Sequence, residues 1–225
     1  MILSQIRIIE VKENILANND QQAQKLRESL RQQHTFLLNL MSSPGSGKTT
    51  LILKTIELLR DKLRIGVMEA DIDSAVDAEK IAAVGIPAIQ LRTGGLCHLD
   101  CAMTSQGLAE LGPEIFDLII IENVGNLVCP AEFDTGAVKN AMILSVPEGD
   151  DKPLKYPLMF STCDALLINK IDYLTIADFD IEAVKKRVYA LNSKIKIFEV
   201  SAKTGQGMEA WCDWLYQEVL AWSEA

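Results

Sequence analysis

The stretch Phe36–Thr50, "FLLNLMSSPGSGKTT", restricts the possible folds more than any other part of the chain. The run "FLLNL" reads as a buried strand, and "TTLILKTIELLRDKL" from Thr49 onward has helical spacing. Strand, glycine-rich loop and helix in that order are the setting of a phosphate-binding loop. The spacing of "SSPGSGKT" is G-x-x-x-x-G-K-[ST], with Ser42 standing where the first glycine is usual. Gly45 and Gly47 let successive backbone N–H groups turn inward as an anion nest, Lys48 reaches the outer phosphates, and Thr49 supplies a hydroxyl for magnesium. Pro44, Ser46 and Thr50 complete the loop expected to line a nucleotide.

The remainder of the chain repeats the alternation of short apolar run and helical segment. "RIGVMEA", "IPAIQL", "FDLIIIE", "AMILSV", "DALLIN" and "KIFEVS" join "FLLNLM" as candidate strands. Several are apolar on both faces, so the expectation is an α/β fold: a mostly parallel central sheet of about seven strands, covered by helices on both faces. Residues 18–34 carry a narrow apolar stripe at Ala23, Leu26 and Leu30, which predicts a helix across the domain edge, with His34 at its C-terminal end. With 225 residues, 48% of them hydrophobic, the chain reads as one domain spanning 1–225, residues 1–35 being a helical N-terminal extension.

A net charge of −9 speaks against nucleic acid or an anionic membrane as partner, because the mean field would repel a phosphate surface. No run approaches a membrane span or a signal-peptide core, which predicts a cytoplasmic protein. Five cysteines at irregular spacing in a chain this long favour free thiols or metal ligands over a disulfide framework.

A phosphate loop needs an acidic partner at the end of a neighbouring strand, since magnesium takes oxygen ligands. "LIIIENVGN" offers Glu122, and "VMEADIDSAVDAEKI" offers Asp71 and Asp77 to hold magnesium or position water; Asp73 reads as a helix cap or solvated turn. Lys48, Asp71 and Glu122 are the candidates for catalysis. Base choice is written in "LLINKID": Asn169, Lys170 and Asp172 form an N-K-x-D set, in which the aspartate accepts from guanine N1–H and the 2-amino group while the lysine stem lies along the ring. Adenine presents no such donor pair. Ser201 and Ala202 follow another strand, where a backbone N–H meets guanine O6.

Two loops carry soft-metal ligands. "TGGLCHLDCA" places Cys97 beside His98, and "ENVGNLVCPAEF" places Cys129 seven residues after Glu122. Thiolate and imidazole select nickel, zinc or copper over magnesium. Three ligands leave a shell open, and two copies facing each other across a two-fold axis would complete it, which predicts a homodimer. Cys101 reads as a buried or incidental thiol, and Cys163 and Cys212 as core residues.

Together "SSPGSGKTT", "TGGLCHLD", "IENVGNLVCPAEFD", "PEGDDKPLKYP" and "NKID" resemble the hydrogenase nickel-incorporation GTPases, the HypB family of dimerising metallochaperone GTPases, over about residues 36–215. The resemblance implies the P-loop GTPase fold and GTP/GDP with magnesium at Lys48, Thr49, Asp71, Asp77 and Glu122. It also implies guanine selection by Lys170 and Asp172, and nickel or zinc on Cys97, His98 and Cys129. Implied too are a homodimer promoted by GTP and metal, and hydrogenase accessory proteins and the large-subunit precursor as partners. The N-terminal 35 residues lack the cysteine motif or histidine-rich tract of some members, which speaks against nickel storage. Slow intrinsic hydrolysis is expected, because no glutamine or arginine is obviously placed to accelerate it. A urease-type or cobalamin-type GTPase, a small-molecule kinase and a non-hydrolysing zinc regulator compete with this reading; the N-K-x-D set speaks against the kinase.

Overall fold

The computed structural model describes residues 11–72, 76–112 and 115–224; Asp73 and the first ten residues of the expected extension lie outside them. Helix α1 (Val11–Gln32) leads into β1 (Phe36–Ser42), α2 (Lys48–Leu59), β2 (Ile65–Asp71), α3 (Val76–Ala82), β3 (Ala88–Arg92), α4 (Cys101–Glu110) and β4 (Leu118–Glu122). The second half runs β5 (Lys139–Ser145), short α5 (Lys152–Lys155) and α6 (Pro157–Thr162), β6 (Ala165–Asn169), α7 (Ile181–Leu191), β7 (Lys196–Glu199) and α8 (Met208–Glu224). All seven strands pair in parallel, in the order β3-β2-β4-β1-β5-β6-β7. The expected sheet is present, and it is wholly parallel.

Side chains of one strand alternate between faces, and the core divides accordingly. Phe36, Leu38 and Leu40 of β1 pack with Ile52 and Ile56 of α2 and Trp211 and Leu215 of α8. On the other face, Leu37 of β1 packs with Leu30 of α1 and Ile119 of β4, while Met142 and Leu166 face Phe160 of α6 and Val184 of α7. Helix α1 starts earlier than its apolar stripe suggested and buries Ala23 and Leu30 as that stripe requires. His34 lies beyond the helix instead of at its end: it takes φ +55°, and its Nδ1–H donates to the Ser223 carbonyl at 2.8 Å, tying the end of α1 to the end of α8.

Parallel pairing sends every strand's C-terminus to one edge of the sheet, so the loops after β1, β2, β3, β4, β5, β6 and β7 converge there. Beneath that edge, Trp211 is fully buried and its indole N–H donates to Thr55 Oγ1 at 3.0 Å, joining α8 to the helix that follows the phosphate loop. Trp211→Ala leaves a large cavity there. Urea unfolding is expected to show a loss of about 3–5 kcal/mol, and a loss below about 1 kcal/mol would contradict this view of the core.

Candidate functional site

The loop after β1 turns through Gly45 at φ +75° and Gly47 at φ +100°, and Gly47 caps α2 without a side chain, leaving the first N–H groups of that helix facing the loop. Ser42, in the first-glycine position, is fully buried; its hydroxyl accepts from Ser46 Oγ at 2.6 Å and from Lys48 Nζ at 3.1 Å, and so positions the lysine within the loop. Ser43 Oγ donates to Glu148, whose other oxygen accepts from the Ser145 N–H and hydroxyl at 2.7 and 2.6 Å. The turn after β5 is therefore fastened to the phosphate loop, a link no motif had signalled.

The residues expected to select the base meet the same loop. Asn169 Nδ2 donates to the Ser46 carbonyl at 3.0 Å, and its Oδ1 accepts from the Ala202 N–H at 3.1 Å. Only a glycine fits at position 47, because a Cβ there would stand 2.8 Å from Asn169 Nδ2. Lys170, at φ +62°, lays its stem over the loop and donates from Nζ to the Gly45 carbonyl at 2.7 Å. Asp172 Oδ1 accepts from Ser201 Oγ at 2.7 Å. Thus Asn169, Lys170, Asp172, Ser201 and Ala202 gather beside Pro44–Thr49, while Thr50 lies exposed in the first turn of α2.

The acidic residues sort differently from the sequence reading. Register pairs Glu69 of β2 with Glu122 of β4, and both are buried, each about 3% exposed. Oxygens of Glu69, Asp77 and Glu122 lie within 4.8 Å of one another, and Thr49 Oγ1 donates to Glu122 Oε1 at 2.9 Å. Burial first, and then the negative charge of Glu122, push the Glu69 carboxyl up to about 10. Burial likewise raises Glu122, against the lowering effects of Glu69, Lys48 and Thr49. As carboxylates, neither Glu69 nor Glu122 has a donor for its Oε2 among the described residues. Buried, unpartnered carboxylate oxygens beside a threonine hydroxyl are the donor set of a hard divalent cation, so the residues present fit magnesium. Asp71, at the end of β2, is not one of these three converging acids; its carbonyl accepts from the Thr93 N–H at 3.1 Å, at the start of the loop leading to Cys97. Lys80 Nζ holds Asp77 Oδ1 at 2.7 Å. Glu69 escaped the sequence reading, its only signal being a charge inside an otherwise apolar strand.

The soft ligands do come together: one ligand atom each from Cys97, His98 and Cys129 lie within 4.8 Å. His98 stacks on Phe133 with ring centroids 3.8 Å apart, so the loop after β3 and the loop after β4 touch directly. Burial lowers the His98 pKa, favouring the neutral imidazole that a metal requires, and the hydrogen bond that the Cys129 thiol donates to Cys97 raises Cys129. Cys101, Cys163 and Cys212 are buried away from this group. Between the two centres, Gly125 packs on the phosphate loop so tightly that a Cβ there would stand 3.0 Å from the Pro44 nitrogen. The backbone from Glu122 to Cys129 therefore touches the phosphate loop on its way to the thiol.

Residues 35–199 match the family described as CobW/HypB/UreG, nucleotide-binding domain. The hydrogenase maturation factor HypB of Azotobacter chroococcum mcd 1 is 47% identical over 216 residues, covering 96% of this chain and 71% of that protein. Among solved structures, HypB from Helicobacter pylori in complex with nickel superposes with a TM-score of 0.86 at 38% identity, covering 91% of this chain and 96% of that one. The hydrogenase maturation factor HypB from Archaeoglobus fulgidus gives 0.84 at 40% identity, with 91% and 100% covered. Identity at this level, sustained over nearly the whole length and along the same backbone path, means that the chain belongs to the HypB family of hydrogenase maturation factors.

Proposed function

We propose that this chain is a GTP-hydrolysing nickel carrier that hands nickel to the hydrogenase large-subunit precursor, with the accessory proteins of hydrogenase maturation. The observation that carries this reading is the convergence of Cys97, His98 and Cys129 on two loops anchored to the nucleotide site. One loop is continuous with Glu122 and packs against Pro44 through Gly125; the other begins at Thr93, bonded to the end of β2. A carrier whose grip answers to its nucleotide needs such shared segments.

In this reading Lys48 and the N–H groups around Gly45–Thr49 hold the phosphates, and Asp172 and the Ala202 N–H read guanine while Lys170 covers the ring. Thr49, Glu122, Asp77 and Glu69 would hold magnesium, with Asp71 beside them at the end of β2; bound there, the ion neutralises charge on the outer phosphates. Glu122 orients water toward the terminal phosphate. Loss of that phosphate relaxes the Glu122–Cys129 segment and opens the thiol site, so slow, switch-like turnover suits the role. Two chains joined across a two-fold axis, favoured by GTP and metal, complete the shell around nickel, or around zinc when zinc is bound. The protein works in the cytoplasm as one nucleotide-binding domain with residues 1–35 as its helical extension, away from nucleic acid and membrane.

Cys129→Ala is expected to weaken nickel binding more than about tenfold while nucleotide affinity stays within about twofold; calorimetric titration of both ligands checks it, and unchanged nickel affinity would count against the site. Glu69 supplies a pH signature. Its folded value lies far above the ordinary 4.5, so the native state keeps a proton that the unfolded chain releases. The stability this gives is complete below about pH 4.5 and is lost as pH rises toward 10. Glu69→Gln remains neutral throughout. Metal-free, it should lose less melting temperature than the parent between pH 6 and pH 9, and it should also bind magnesium about tenfold more weakly in the nucleotide complex. Parallel melting profiles for the two proteins would contradict the buried-acid account.

A further inference from the structure

Helix α1 reaches both metal-bearing loops through a single side chain. Asn19 is about 7% exposed; its Oδ1 accepts from the Cys101 N–H at 2.9 Å, three residues after His98, and its Nδ2 donates to the Asp134 carbonyl at 2.8 Å, five residues after Cys129. The two partners are a backbone donor and a backbone acceptor, so a short side chain carrying both functions is required: asparagine meets both, aspartate only the N–H, alanine neither. Eight residues along the same helix, Arg27 donates to both Asp134 carboxylate oxygens at 2.8 and 2.6 Å and to the Ala137 carbonyl at 3.1 Å. Arg27 grips only the Cys129 loop. Asn19 grips both.

We infer that Asn19 is a positioning residue for the soft-metal site, holding the Cys97/His98 loop and the Cys129 loop at one separation. This deepens the proposed nickel role and rests on the assignment of Cys97, His98 and Cys129 as ligands. The loops also meet through the stack of His98 on Phe133 and through the approach of the two thiols, contacts between side chains that leave the backbone beyond each ligand unfixed. The Asn19 bonds act on backbone just beyond each ligand, so they set where the loops run and therefore the distance between the two sulfurs. Removing the side chain leaves a buried N–H and a carbonyl unpaired, and the loops regain those bonds only by moving apart toward water. Outer partners of this kind tune metal affinity without touching the metal.

The test uses the full chain loaded with GDP and magnesium. Nickel affinity is measured by competition with a coloured chelator, and the thiolate-to-nickel absorption in the near ultraviolet reports ligand geometry. Asn19→Ala is expected to weaken nickel about tenfold and shift the absorption band, with GDP affinity within about twofold of the parent. Asn19→Asp, which keeps the bond from Cys101, should fall between; it carries the test if the alanine variant does not fold. Leu30→Ala loosens the packing of the same helix without removing a bond to either loop, and should leave affinity and band unchanged. Parental affinity and band in both Asn19 variants, or an equal loss in Leu30→Ala, would overturn the inference. Cys129→Ala separates it from the reading beneath it: if nickel binding survives that change the ligand assignment fails, whereas loss there with normal binding in the Asn19 variants defeats the positioning role alone.

Discussion

Six residues separate Glu122 from Cys129, and midway between them the chain is pressed onto the phosphate loop at Gly125. That contact sets the Gly125 backbone against the backbone and closed ring of Pro44, a stiff partner, so a displacement of the phosphate loop is passed to the segment instead of being absorbed. The carboxylate at one end faces Thr49 and the thiol at the other faces Cys97 and His98. Hard and soft donors are thus kept in separate pockets yet on one length of chain, and any coupling between nucleotide and nickel has a short mechanical route.

The sheet makes this possible at a cost in stability. Parallel register sets Glu69 and Glu122 side by side, buried, where two negative charges cannot both persist without a cation or a proton. Nearby, three asparagines form a ladder from the residue just after β4 across β1 to β5: Asn123 Nδ2 donates to Asn39 Oδ1 at 3.0 Å, and Asn39 Nδ2 to Asn140 Oδ1 at 2.9 Å. Polar groups inside an otherwise apolar sheet are retained where their hydrogen bonds fix a register, and here the ladder locks the strand that ends in Glu122 against the strand that ends in the phosphate loop. Stability is given up at the residues the site needs most.

Much of this was legible in the sequence. The seven strands follow from apolar runs, and the phosphate loop, the N-K-x-D set and the Cys/His trio sit at spacings whose chemistry is local, so each could be read without knowing the fold. What escaped depends on neighbours far apart in the chain. Glu69 drew no attention within its apolar run while Asp71, at the visible end of the same strand, did; the β2–β4 register is what brings Glu69 opposite Glu122. Phe133 under His98 and Glu148 under Ser43 depend in the same way on loops meeting across the sheet edge. The reading of α1 rested on its apolar stripe alone, and the stripe gives no sign that Asn19 and Arg27 turn inward to bind loops more than 80 residues away.

The central claim is that one set of loops serves guanine nucleotide and nickel together. Its most direct measurement is nickel affinity and nickel X-ray absorption on the same protein loaded first with GDP and then with a non-hydrolysable GTP analogue. Coupling between linked sites of this kind runs from about fivefold to a hundredfold, so affinities differing by at least about fivefold, with a change in sulfur coordination, are expected. Equal affinities and superimposable spectra in the two nucleotide states would contradict it.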